Sequence, residues 1–205
     1  MRNQRTVPVF KAALAVMAVL AGLACNPIEN STQSASLLTV VSITGLDYTG
    51  KAANFTQSDV LTTNSTTGLS TVNDDVATAT LGASTLAPNP PAGTSQYNNI
   101  QLDKIVVSYT RTDGRNTQGV DVPYSFEQNL STIITVGQQV SITFIIVRAS
   151  AKQEPPLIGL RAGSSTRGEA IYTNARIDFY AHDLAGKNVT ATGYLPVEFS
   201  DFANQ

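Results

Sequence analysis

Between residues 170 and 200 apolar side chains return at every second position, and they do so twice, with a turn between. In AIYTNARIDFYAH, Ile171, Ala175, Ile177, Phe179 and Ala181 fall on one side, and Tyr172, Asn174, Arg176, Asp178, Tyr180 and His182 on the other. After DLAGKN the alternation resumes, with Val189, Ala191, Leu195, Val197 and Phe199 interleaved with Thr190, Thr192, Tyr194 and Glu198. Successive side chains of a strand point to opposite faces, so a period of two sustained this long demands extended chain with one dry and one wet face. Two such arms joined by a Gly- and Asn-containing turn make a β-hairpin, and its apolar face needs a second layer to cover it. Composition agrees with a strand-built body. Charged residues are only 14% of the chain, so Thr, Ser, Asn and Gln supply much of the polar surface, and β-branched Thr favours a pleated one.

The same period predicts further strands upstream: LLTVVSITGLDY from Leu37 to Tyr48, VATATLGAST over residues 76–85, then LDKIVVSYTRT, DVPYSFEQ, LSTIITV and QVSITFIIVRA. Residues 62–73 and 86–99 read as loops, the second broken by Pro88, Pro90 and Pro91, which cannot sit inside a sheet. In QVSITFIIVRA, Val140, Ile142, Phe144 and Ile146 share one face while Ile145 and Val147 share the other. Apolar residues on both faces predict a central strand covered on both sides. The closing hairpin, with its AGKNV turn, resembles that of immunoglobulin-like and fibronectin-like sandwiches. The resemblance implies an all-β fold, an antiparallel immunoglobulin-like β-sandwich of about eight or nine strands. The disulfide and buried Trp of immunoglobulin domains are missing, since Cys25 is the only cysteine and the chain has no Trp.

The front of the chain follows other rules. Arg2, Arg5 and Lys11 precede an apolar run from Ala12 to Ala24, with no acidic residue before Glu29. A bilayer-spanning helix needs about 20 residues, whereas a basic start, a short apolar middle and small residues at the end are the parts of a secretory signal peptide. Gly22, Leu23, Ala24 and Cys25 resemble the lipobox of bacterial lipoproteins, with Gly22 standing where Leu is usual. The resemblance implies lipidation of the Cys25 thiol and cleavage before it; ordinary signal peptidase would cut the same bond and leave the thiol bare. Two or three acyl chains hold a protein on a membrane far better than one. Asn26 follows the cysteine, where an Asp commonly marks inner-membrane retention, so the outer membrane is favoured. The expected organisation is a signal peptide at 1–24, a lipid-anchored tether at 25–36 and one sandwich domain at 37–205.

Chemistry is sparse. Three of the 13 basic residues lie in the signal segment, leaving 10 against 15 acidic residues and a net charge of −5, which is no footprint for nucleic acid. The single histidine, His182, falls on the wet face of its strand, and Cys/His zinc sites fail for lack of ligands. GSSTRG at 163–168 has phosphate-loop glycine spacing, but Glu169 stands where such a loop needs Lys. No G-x-S-x-G elbow is present. Asp74 and Asp75 would point to opposite faces of a strand; in a loop, together with Asp47 or Asp59, they would suit calcium. No catalytic residue, metal or cofactor is therefore predicted. The outward row Tyr172, Arg176, Asp178 and Tyr180, with Tyr194 on the neighbouring arm, is the candidate binding face, because Tyr and Arg bring contact area at modest entropy cost. The expected function is a non-enzymatic envelope lipoprotein, membrane-held through Cys25, that binds a protein or glycan; the alternative is a carrier for a small ligand or carbohydrate.

Overall fold

The computed structural model describes residues 33–64, 66–87, 93–161 and 169–202. The expected signal segment, Cys25, most of the tether, Pro88 to Pro91 and the 163–168 loop lie outside them.

The described residues form an all-β body without an α-helix. Eleven strands run in chain order: β1 (Ser36–Leu46), β2 (Ala52–Ala53), β3 (Thr56–Asp59), β4 (Thr62–Thr63), β5 (Ser70–Thr71), β6 (Asp75–Thr85), β7 (Ile100–Arg111), β8 (Phe126–Ile134), β9 (Gln139–Val147), β10 (Ile171–Asp183) and β11 (Asn188–Ser200). A four-stranded sheet has the order β2-β1-β6-β9, a five-stranded sheet the order β3-β11-β10-β7-β8, and β4 and β5 pair alone. All pairings are antiparallel except β3 with β11, which makes the larger sheet mixed.

The two large sheets share one core. Leu81 from β6, Phe144 and Ile146 from β9, and Ile105, Ile177, Phe179, Leu195 and Phe199 from the other sheet belong to a single buried cluster. Phe144 meets Phe179 edge-on across the gap, with ring centroids 6.2 Å apart. Tyr109 on β7 is buried, packs edge-on to Phe199 and donates its hydroxyl to the Ile146 carbonyl of the opposite sheet. A buried hydroxyl is tolerable only with such a partner. Gly193 lies opposite β1, where a Cβ would run into the Ile43 side chain.

The hairpin reading holds residue by residue. β10 alternates buried and accessible positions along its whole length, and Arg176 pairs with Tyr194, Asp178 with Thr192 and Tyr180 with Thr190. Its turn is organised by Asp183, whose Oδ1 accepts the backbone N–H of Lys187 at 2.8 Å and of Ala185 at 3.1 Å. Oδ2 of the same residue accepts the Ser34 hydroxyl at 2.6 Å, so residues just ahead of β1 are tied to the far hairpin.

Four expectations need correction. The eight or nine antiparallel strands expected are eleven among the described residues, and β3 runs parallel to β11. β9 is an edge strand of its sheet, not a central one. Its register with β6 slips between Asp75 and Val76, so that Ile146 is an extra residue, and such a bulge turns consecutive side chains, Ile146 and Val147, into the core together. DVPYSFEQ and LSTIITV are not two strands: residues 121–125 are loop, and one strand, β8, runs from Phe126 to Ile134, with Thr135 and Val136 beyond its end. Val122 is fully buried from within that loop, which is why the segment reads as strand. The 62–73 stretch carries the two-residue strands β4 and β5 within its loop.

The seam between β8 and β9, which lie in different sheets, is bridged by one side chain. The Gln128 amide donates to the Ile145 carbonyl at 2.7 Å and accepts the Ile145 N–H at 3.0 Å. This fork copies the two bonds a neighbouring strand would make.

Candidate functional site

The five-stranded sheet turns its polar face to solvent, and the residues singled out from the sequence come together on it. Tyr172, Tyr180 and Tyr194 are 57%, 40% and 60% exposed. They stay outside because their strand parity opposes that of the buried Ile171, Phe179 and Leu195. Between them, Arg176 donates through Nε to Asp178 Oδ1 at 3.0 Å, and the Thr192 hydroxyl donates to the same oxygen at 2.6 Å. On the adjoining strand, Lys104 lies 5.5 Å from the Tyr180 ring centroid and 2.9 Å from Glu127 Oε2. His182 is on this wet face as expected, its Nδ1 2.8 Å from Asp103 Oδ2.

At one end of this face a cavity of about 310 Å³ opens between Phe55, Thr112, Tyr172, Pro196, Val197 and Glu198. Tyr172 and Glu198 are direct cross-strand partners. The neighbouring Glu198 carboxylate, first as an acceptor for the Tyr172 hydroxyl and then through its charge, raises the phenol's pKa. The cavity thus offers aromatic surface beside an acceptor carboxylate.

A second site lies where β1 and β3 end and β6 begins. A cavity of about 190 Å³ is lined by Asp47, Asp59, Asp74, Asp75, Tyr48 and Lys152, among others. The four carboxylates considered from the sequence do gather here, but each has its own work. Asp47 Oδ1 accepts the backbone N–H groups of Thr49 and Lys51 and the Thr49 hydroxyl, and that hydroxyl is the main reason its pKa is lowered. Asp74 Oδ1 accepts the Ala149 N–H at 2.6 Å. Asp59 accepts the Phe202 N–H and the Thr62 hydroxyl; burial, more than the nearby Asp201 charge, raises its pKa. Among the described residues no three His, Cys, Asp or Glu side chains form a metal-ligand group.

Sequence reasoning missed Lys152. Its side chain is 2% exposed, and Nζ lies 2.9 Å from Asp75 Oδ1. Lysine is almost never fully buried unless paired. Desolvation raises the Asp75 pKa, and the Lys152 charge opposes it. The Ser58 hydroxyl, itself buried, lies near enough to Asp75 to favour its charge without making a well-formed hydrogen bond. Asp75 Oδ2 is buried with no hydrogen-bond partner. No local pattern marks this lysine, because its partner is 77 residues away in the chain.

Asp113 and Gly114 turn the chain after β7, and Gly114 has φ +82°, a value that favours glycine. Arg111 and Arg115 both hold the Asp113 carboxylate, at 2.6 and 3.0 Å, and its pKa falls to about 2, chiefly through the Arg111 hydrogen bond.

No protein-family model and no curated protein matches the chain.

Proposed function

We propose that the chain is a non-enzymatic lipoprotein of the bacterial cell envelope, an immunoglobulin-like module that binds a protein or glycan partner through the outer face of its five-stranded sheet. The observation that carries this reading is the set of three exposed tyrosines around the fixed Arg176–Asp178–Thr192 group. A tyrosine on a rigid strand presents a large amphipathic ring with little rotamer freedom left to lose, which is what a recognition surface requires. The strand order supports the immunoglobulin-like assignment. If β1, β6 and β9 stand for strands A, B and E, and β11, β10, β7 and β8 for G, F, C and C′, the two sheets match the usual division between such sheets. Arg2, Arg5 and Lys11, the apolar run to Ala24 and the Gly22–Cys25 pattern support export and lipidation at Cys25, with Asn26 favouring the outer membrane.

The Phe55–Tyr172–Glu198 cavity favours a second reading, a carrier whose small ligand or carbohydrate stacks on the aromatics while Glu198 accepts its hydroxyl groups. A glycan array probed with the mature chain and with a Tyr172→Ala/Tyr194→Ala variant tests the face. Retained glycans should be lost in the variant, and unchanged retention would move the site elsewhere. Metabolic labelling with palmitate tests the anchor: Cys25→Ser should abolish the label and release the protein to the soluble fraction.

A further inference from the structure

We propose that Lys152 and Asp75 are a modification site: the Lys152 Nζ condenses with the Asp75 side-chain carboxyl to form an intramolecular amide that cross-links the start of β6 to the segment following β9. This stands apart from any binding role of the outer sheet face.

The groups of this pair are poorly matched. An ammonium carries three donors, and the recorded partner of the Lys152 Nζ is a single oxygen, Asp75 Oδ1 at 2.9 Å, within a side chain that is almost wholly buried. The other carboxylate oxygen, Oδ2, is buried without a well-formed hydrogen bond. As an ion pair the site therefore holds charge at a nearly buried place, with one carboxylate oxygen lacking a well-formed hydrogen bond, which is costly. Condensation removes one carboxylate oxygen and both charges. The Nζ–Cγ bond forms, one Cγ–O bond breaks, and the departing oxygen leaves as water with two of the three nitrogen hydrogens. One N–H and one carbonyl remain. Charge balances, nothing is oxidised or reduced, and no co-reactant is consumed.

The site also disfavours the carboxylate form of Asp75. Amide formation needs an uncharged amine facing an uncharged acid, and transfer of one proton within the pair supplies both. Burial and the neighbouring Asp59 charge both work against the carboxylate form of Asp75. The nucleophile lies in contact with the carboxyl group, and holding reactants so is worth effective molarities of about 10⁵–10⁸ M when the geometry is a near-attack one. The product closes a loop spanning a separation of 77 residues. A chain whose only cysteine is Cys25 has no internal disulfide with which to restrict its unfolded state.

Tryptic digestion of the denatured full-length chain decides the matter. Cleavage after Lys51, Lys104, Arg148 and Arg161 should yield peptide 52–104 joined to peptide 149–161, uncleaved at Lys152 and lighter than their sum by one water. Separate peptides 52–104, 149–152 and 153–161 at full yield from the wild type would overturn the proposal. Lys152→Arg and Asp75→Ala chains should each give only unlinked peptides; a joined species surviving in either would overturn the assignment to this pair. Because the digest is made on unfolded chain, the wild-type result stands even where a variant folds poorly.

Discussion

Two ion pairs of nearly equal length sit in opposite surroundings. Lys152 and Asp75 lie 2.9 Å apart with side-chain exposures of 2% and 21%, while Arg176 and Asp178 lie 3.0 Å apart at 54% and 17%. The difference is the solvent. On the open sheet face water screens Arg176, and the pair serves to fix a side chain on a surface. At the Lys152 end little water reaches the pair, so before the two groups condense the lysine charge depends on one carboxylate, and removing either partner strands the other. Distance alone does not distinguish a surface ornament from a structural commitment; burial does.

The largest expected effect breaks the buried pair on one side only. Lys152→Met, which keeps the volume and deletes both the charge and the proposed amide, should cost at least about 3–5 kcal/mol because Asp75, 21% exposed, loses its partner. Urea denaturation measures it, and a loss no larger than that of an exposed pair would erase the distinction between the two regions. Next comes the seam: Gln128→Leu leaves the Ile145 N–H and carbonyl without their fork, at about 1–3 kcal/mol by the same measurement. Arg176→Ala should cost at most about 1 kcal/mol yet weaken ligand retention on a glycan array, separating stability from recognition.

The smallest effects are in pH dependence, and they have opposite signs. Asp59 has a folded pKa above its usual 3.8, so the native state binds more protons than the unfolded one in between, and stability falls as pH rises through that interval. Asp59→Asn should therefore gain stability over wild type at neutral pH. Asp113, near 2 when folded, contributes stability that is present above 3.8 and lost as pH falls toward 2. Asp113→Asn should flatten the acid limb of a thermal-melt series, and an unchanged limb would show that the two arginines hold the carboxylate loosely.

How far the sequence speaks depends on the range over which a pattern is enforced. β10 and β11 were legible because one face of each is dry from end to end, so every second residue reports on the same core. β9 misleads because a single extra residue, Ile146, turns two neighbours inward and imitates a strand covered on both sides. Val122 misleads in the same way, a buried loop residue that borrows the appearance of a strand. The outer-face residues were readable as a row, since parity alone places Tyr172, Arg176, Asp178 and Tyr180 together. That Arg176 would be held by Asp178 and Thr192 was not, because it depends on cross-strand register. Lys152 was illegible in principle: ASAKQEPP has the look of an exposed loop, and only the folded chain brings Asp75 to it.

The Gln128 fork has a consequence for how copies of this protein behave in a crowd. A bare sheet border is a template onto which another chain adds itself. At Ile145 that template is already filled from within, by a side chain rather than a strand. Growth of ordered aggregates along this border is thereby interrupted, and crowded copies can stand next to one another without zippering together at that seam.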